Sequence, residues 1–242
     1  MSKVNTDAIK PRDTGLDITL GATGDTTVIS ADSINTNTVK DSGGNTLWTS
    51  DGAGNLSSVN SSFSGNLILL NTSYITSAVQ PVSFTLDSTY DVYIFKLIRT
   101  ACSVDDHYLQ FNVSTDGGSS YNVNKTSSFW NAYHADDNSA AGYSYEQSYD
   151  VASDGGWCPI SYNVGTAIGK NQSGELHLYT PSSTTYMKHF YSCIQINRDN
   201  ARSYNCYVGG YCNTTTAINA IGFRYEGPNT FATGIIKQYG LS

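Results

Sequence analysis

Residues 90–99 read YDVYIFKLIR, and this stretch decides the fold. Side chains of an extended chain alternate between two faces, so Val92, Ile94 and Ile98 fall on one side and Tyr93, Phe95 and Leu97 on the other. A run that is apolar on both faces predicts a central strand covered on two sides. The next segment, YLQFNVSTDGGSSYNV (108–123), alternates instead: Leu109, Phe111 and Val113 stand between Gln110 and Asn112. Its Asp116-Gly117-Gly118 is expected to make a hairpin turn. The period of two continues in GELHLYT (174–180), TYMKHFYSCIQIN (185–197), AINAIGFRYE (217–226) and GIIKQYG (234–240). No segment carries a convincing 3.6-residue apolar period, and Gly, Asn, Asp and Ser clusters interrupt the chain every ten residues or so, the mark of many short strands. The one helical candidate is AAGYSYEQSYDVA (140–152). About eight strands over residues 63–242 fit an all-β, antiparallel, two-sheet sandwich of jelly-roll type, with longer polar loops at about 131–174 and 197–205.

The first 62 residues differ. Leu16, Ile18 and Leu20 alternate with polar residues, GATGD turns the chain, and Thr27-Val28-Ile29 forms another short β run before Ile34 and Val39. In KDSGGNTLWTSDGAGNLSSV (40–59), two turn cassettes lie ten positions apart, with Leu47 and Trp48 between them and Leu56 and Val59 after. Ordering a residue costs ~1–2 kcal/mol, whereas fully burying a Leu or Ile returns only ~1.5–3 kcal/mol. Alone, such a segment cannot balance. Residues 1–62 are therefore expected to be a thin β stalk or anchor whose apolar side chains join a core shared with other copies, three chains around a common axis. Leu16, Ile18, Leu20, Leu47, Trp48, Leu56 and Val59 are the candidate oligomer and docking residues.

Composition narrows the function. The chain has 242 residues, 39% of them hydrophobic and 12% aromatic, with eighteen tyrosines. That is enough to bury a core, and it separates the chain from a disordered tail. A net charge of −7 and thirteen scattered basic residues do not provide the clustered cations that nucleic-acid binding needs. No apolar run approaches the ~20 residues of a membrane span, and residues 1–15 contain no apolar signal-peptide region, so a soluble protein or part of a soluble assembly is expected. Five cysteines, 102, 158, 193, 206 and 212, are an odd number without a C-x-x-C pair. A zinc site is not indicated, and buried free thiols are the simpler reading. Cys206 and Cys212 flank the turn-like YVGGY, which leaves a hairpin disulfide open in oxidising surroundings.

Several segments resemble those of short structural proteins of tailed bacteriophages from aquatic bacteria: SKVNTDAIKPRDTGLDITLGATGDT (2–26), NTVKDSGGNTLWTSDGAGNLSSV (37–59), PSSTTYMKHFY (181–191) and AINAIGFRYEGPNTFATGIIKQYG (217–240). The resemblance covers nearly the whole chain in character and order. It implies a fibre or decorating appendage of the virion, with an N-terminal segment that docks on the particle and a C-terminal β domain that faces outward, usually as a trimer. It carries no functional residues.

Catalytic patterns are thin. A glycosidase needs two carboxyl groups ~5–9.5 Å apart, but the three glutamates, Glu146, Glu175 and Glu226, sit in different segments and the aspartates mostly occupy Gly- or Asn-rich turns. Asp136-Asp137 near His134, and Asp105-Asp106-His107, are the best constellations for a hard cation or acid–base work. Each reads more simply as a solvated loop. His177 and His189 fall within strand patterns. There is no G-x-S-x-G elbow and no phosphate-binding glycine motif, so no catalytic residue, metal site or cofactor is expected. The strongest surface feature is FWNAYHADDNSAAGYSYEQSYDVASDGGWC (129–158), where rings stand among amides and carboxylates. Rings that stack on sugar faces beside polar acceptors hold glycans, and polar-tipped aromatics also build stable interfaces. Trp130, Tyr133, Asp136, Asp137, Tyr143, Tyr145 and Trp157 are the candidate glycan or receptor contacts.

The combined expectation is a non-enzymatic virion structural protein, assembled in the host cytoplasm. It would be a homotrimer with an N-terminal docking segment (1–62) for other virion proteins and a β-sandwich head (63–242) that touches host-surface glycan, with neither nucleic-acid binding nor membrane insertion. The alternatives are a decoration protein that stabilises the capsid and a small polysaccharide-degrading tailspike.

Overall fold

A computed structural model describes residues 37–41, 43–53, 56–59, 67–166, 169–198 and 201–241. The expected β runs around Leu16, Ile18 and Leu20 and around Thr27 to Ile34 lie outside these residues. The chain divides into two compact units, Met1–Ser58 and Val59–Ser242.

β1 (Thr38–Lys40), β2 (Thr46–Ser50) and β3 (Leu56–Val59) form a three-stranded sheet in that order. The turn cassettes make it. Asp41 Oδ1 accepts the N–H groups of Gly43 and Asn45, both at 2.8 Å, and Gly44 takes a φ of 83°, a left-handed conformation that costs glycine little. At the second cassette Asp51 Oδ1 accepts the N–H of Ala53 at 2.7 Å. Val39 pairs with Trp48 across β1 and β2. Among the described side chains of these strands none is buried, and Leu47, Trp48 and Val59 are half-buried.

The described residues of the second unit form thirteen strands. In chain order they are β4 (Leu67–Ile75), β5 (Val82–Thr85), β6 (Val92–Cys102), β7 (Leu109–Ser114), β8 (Lys125–Ala135), β9 (Ala141–Tyr145), β10 (Ala152–Asp154), β11 (Cys158–Pro159), β12 (Gln172–Tyr179), β13 (Lys188–Arg198), β14 (Arg202–Cys212), β15 (Ala220–Tyr225) and β16 (Phe231–Leu241). Nine form one sheet, ordered β10-β8-β14-β13-β12-β6-β16-β4 with β9 added on β8, and four form another, β11-β7-β15-β5. The two face each other as a β-sandwich. Phe95 of the larger sheet meets Phe223 and Phe84 of the smaller at ring distances of 5.3 and 5.5 Å, and Phe111 meets Phe190 at 4.8 Å. Register carries the inner face across five strands, from Phe95 through Leu176, Ser192 and Val208 to Phe129.

YDVYIFKLIR becomes β6, paired with β12 on one side and β16 on the other. Tyr93, Phe95 and Leu97 are buried in the core as expected. On the opposite face only Ile94 is buried, between His177 and Tyr239, while Val92 and Ile98 are half-exposed. Cover on both sides therefore holds for one face of the strand alone.

Other expectations change as well. Among the described residues the strands of this unit number thirteen, not about eight, because residues 131–174 are not a long loop: they contain the end of β8, all of β9, β10 and β11, and the start of β12. The region 197–205 is the connection of two eleven-residue strands, β13 and β14. The helical candidate is β9 followed by a single 3-10 turn, Gln147–Tyr149. Asp116-Gly117-Gly118 is a turn, with Asp116 Oδ1 accepting Ser114 Oγ–H and Ser120 N–H, but it carries the chain from the smaller sheet to the larger and closes no hairpin. YVGGY lies within β14, where a Cβ on Gly210 would stand 2.7 Å from the Phe190 ring. That glycine admits a neighbour and makes no turn. Cys206 and Cys212 thus lie six residues apart on one strand, about 20 Å at ~3.3 Å per residue, beyond the ~7 Å that a disulfide spans. All five cysteines are free thiols, four of them buried. Among the described residues no helix is long and apolar enough to cross a membrane.

Candidate functional site

The alternation of β8 divides the aromatic-rich segment between two faces. Phe129, Asn131, Tyr133 and Ala135 stand on the inner side, and Ser128, Trp130, Ala132 and His134 on the outer. Trp130 lies between Tyr207 of β14 and Tyr145 of β9, which pair with it on either side. Its ring stacks on Tyr207 at 4.5 Å and 20°. Tyr143, opposite Ala132, completes the group. These rings are open to solvent: Trp130 is 46%, Tyr145 60% and Tyr143 86% exposed.

Two carboxylates brace the platform from beneath. Tyr145 O–H donates to Asp150 Oδ2, and the other oxygen of Asp150 accepts the Phe129 N–H at 2.7 Å, which ties β9 to β8. The hydrogen bond to Asp150 raises the Tyr145 pKa, so the ring keeps its proton. Asn131 Nδ2 donates to Glu146 Oε1 at 3.1 Å. Beside the rings a shallow hollow of about 190 Å³ is lined by Ala132, Tyr133, His134, Ser203 and Asn205. Flat ring faces next to amide, hydroxyl and imidazole groups can hold a sugar by stacking and orient it by hydrogen bonds.

Of the seven candidate contacts, Trp130, Tyr143 and Tyr145 come together. Asp136 and Asp137 sit at the tip of the β8–β9 hairpin, where Asp137 Oδ1 accepts the Ser139 N–H at 2.9 Å and Asp136 N–H donates to Ala201 O. Hydrogen bonds from Ser139 hold the Asp137 carboxyl below its usual range, as in a closed turn. The rings of Tyr133 and Trp157 are elsewhere. Tyr133 is on the inner side of β8, against Tyr204 at 5.6 Å and under Arg202. Trp157 packs on Tyr121 at 5.4 Å, with the Arg224 guanidinium 4.5 Å above its ring, beside the smaller sheet. The reason is the period of two: residue 133 is an odd number of places from 130, so a strand sends the two rings to opposite faces. The platform residue missed from sequence is Tyr207. Its signal was present, since Asn205, Tyr207, Gly209 and Tyr211 alternate with the buried Tyr204, Cys206, Val208 and Cys212 along β14.

The outer face continues past Tyr207 to Cys193, Glu175 and Lys96 in one register row. Glu175 accepts Lys96 Nζ–H, Tyr191 O–H at 3.1 Å and a hydrogen bond from His177 at 2.9 Å. Burial alone would raise this carboxyl; Lys96 and His177 outweigh it and hold the pKa below the usual value. His177 lies 4.6 Å from the Tyr191 ring. His189 is exposed on β13, 6.2 Å from Tyr211.

The Asp105-Asp106-His107 constellation is divided among loop anchors. Asp105 accepts the Thr166 N–H, Asp106 accepts Arg198 Nη2–H at 2.7 Å and Asn163, and His107 meets Glu226 at 3.3 Å. Among the described residues no group of three or more His, Cys, Asp or Glu side chains is placed to hold a metal ion. Of the docking candidates, Leu47 and Trp48 lie on β2, and Leu56 and Val59 are the ends of β3; Leu16, Ile18 and Leu20 lie outside the described residues. Comparison with protein-family models, with curated proteins and with solved structures gave no match.

Proposed function

We propose that this chain is a non-enzymatic virion appendage protein whose β-sandwich head contacts a host-surface glycan. The observation that carries the reading is the exposed Trp130–Tyr207 stack with Tyr145 and Tyr143 around it. A ring pair left open to water, braced by Asp150 and flanked by polar groups, suits a pyranose face better than it suits a monomer's surface. The carboxylates near it each have a structural engagement, Asp150 with Tyr145 and Phe129, Glu146 with Asn131, Asp137 with Ser139, which favours binding over hydrolysis. The jelly-roll reading draws on a path in which β4, β6 and β8 lie in the larger sheet and the intervening β5 and β7 in the smaller.

A homotrimer is part of the proposal. The sheet β1-β2-β3 has no buried described side chain, and a small sheet without a buried face is marginal in water. On β4, an edge strand, Leu67, Leu69, Leu70 and Tyr74 are all exposed. An exposed apolar edge is a template for association. Copies of the same chain would cover both features, and three heads would multiply a weak affinity per site. The N-terminal unit would dock on other virion proteins.

The test is a titration of the full chain with oligosaccharides from host surface polysaccharide, followed by tryptophan fluorescence. Saturable binding is expected, and Trp130→Ala should weaken it about tenfold, equivalent to ~1.4 kcal/mol, with the melting transition unchanged. Release of reducing ends would overturn the non-enzymatic reading, and ordered binding to capsid lattice positions without glycan binding would favour shell decoration.

A further inference from the structure

Two lysines are fully buried in the head, and their surroundings differ. Lys188 Nζ donates to the backbone carbonyls of Thr214 at 3.2 Å and Thr216 at 2.8 Å. Lys125 Nζ donates to the carbonyl of Val123 at 2.7 Å and to the side-chain oxygen of Asn112, equally buried, at 2.6 Å. No carboxylate hydrogen-bonds to Lys125 Nζ among the described residues. An ammonium held among neutral acceptors away from water is a costly arrangement. A carboxamide at contact distance offers a way to abolish that charge. We propose that Lys125 and Asn112 form an intramolecular isopeptide bond that links the larger sheet to the smaller.

The geometry supplies the parts of this reaction. A C=O bond is about 1.23 Å long, so Nζ lies no farther than about 3.8 Å from Asn112 Cγ, close to an attack distance. Asn112 Oδ1 also accepts the Val113 N–H at 2.8 Å, a donor separate from the attacking amine that polarises the carbonyl and would stabilise the developing oxyanion. Nδ2 is held by Tyr121 O at 2.7 Å, Gly155 O at 2.9 Å and Gly156 O at 3.2 Å, which fixes the plane of the amide. Burial lowers the Lys125 pKa, which favours the neutral amine that attacks. Nζ forms a bond to Cγ, the Cγ–Nδ2 bond breaks, and a proton from Nζ leaves with Nδ2 as ammonia. No oxidant or reductant takes part. The departing group faces residues 155–156, where Gly156 is exposed to solvent.

The product would tie β7 to β8, across the two layers that shear would otherwise separate. Among the described residues Lys188 Nζ hydrogen-bonds to backbone carbonyls and to no carboxamide, so it serves as an internal control.

The test is the intact mass of the folded full chain, incubated until the mass is constant, followed by trypsin digestion. The expected mass is lower than the sequence mass by one ammonia. Trypsin should fail to cut after Lys125, and fragmentation should give no backbone ions between residues 112 and 125. Lys125→Met should restore the unreacted mass, and Lys188→Met should keep the loss. An intact mass equal to the sequence mass, with normal cleavage after Lys125, overturns the proposal. So does ammonia loss with normal cleavage there, which would mark a succinimide instead. Because the wild-type chain gives both readouts, failure of a variant to fold does not rescue the idea.

Discussion

At Gly210 a hydrogen atom decides the packing. A Cβ there would stand 2.7 Å from the Phe190 ring, and the same position lies opposite Ser127 in the sheet. Gly210→Ala is expected to destabilise the head by about 1–3 kcal/mol, the usual cost of overpacking, read from the midpoint of urea unfolding. Gly209, where a Cβ would meet nothing within 4 Å, should tolerate the same change. Asp87 makes a second prediction. The Tyr93 hydroxyl donates to its Oδ1 at 2.6 Å and the Thr89 N–H at 2.9 Å, and these hydrogen bonds, Tyr93 first, depress the carboxyl pKa. A depressed carboxyl contributes stability that is fully present above the ordinary value of about 3.9 and is lost as the pH falls through its folded pKa. Tyr93→Phe should therefore lower stability at neutral pH and flatten the acid limb of a stability–pH curve below about pH 4. A mutant curve parallel to the wild type through that range would refute the assignment.

At the scale of the element, β4 is the strand to watch. Nine residues, LILLNTSYI, form one edge of the larger sheet, with Leu69 half-exposed and paired with Tyr239. Natural edges are usually blunted by charge or proline, and this one carries neither. Leu69→Lys is expected to leave the melting transition nearly unchanged while sedimentation moves from the proposed trimer toward monomer; a wild-type monomer would contradict the proposed trimer, and a trimer unchanged by the substitution would place the contact elsewhere. Much of the element level was legible. The run 90–99, apolar on both faces, and the alternation in 108–114, 174–179, 188–196 and 234–240 located real strands because each has an inner face that must be apolar. The failures have a common cause. In 131–174 the strands β9, β10 and β11 lie at sheet margins or are two to five residues long, so burial imposes little pattern on them. Gly209-Gly210 looked like a turn because sequence cannot separate a glycine needed for φ from one needed for close approach. The aromatic site suffered in the same way: rings crowded in sequence were grouped together, whereas a strand divides them between faces and brings in Tyr207 from a distant segment.

At the scale of the molecule, the apolar content is unevenly divided. Every buried apolar side chain described belongs to the second unit. A chain lacking residues 1–58 should keep its β-rich far-ultraviolet spectrum and a single cooperative melt, and under the proposed docking role it should not attach to particles; loss of the melt would mean that the head needs its N-terminal unit to fold. The open face of the larger sheet is proposed as a binding surface with its focus at Trp130. The measurement that tests it most directly is calorimetric titration of host-surface oligosaccharide into the full chain and into Trp130→Ala, with reducing ends assayed in the same samples. Saturable binding by the wild type is expected, with about tenfold weaker binding by the variant at equal thermal stability and no new reducing ends. Equal affinity of the two proteins, or cleavage of the saccharide, would contradict it.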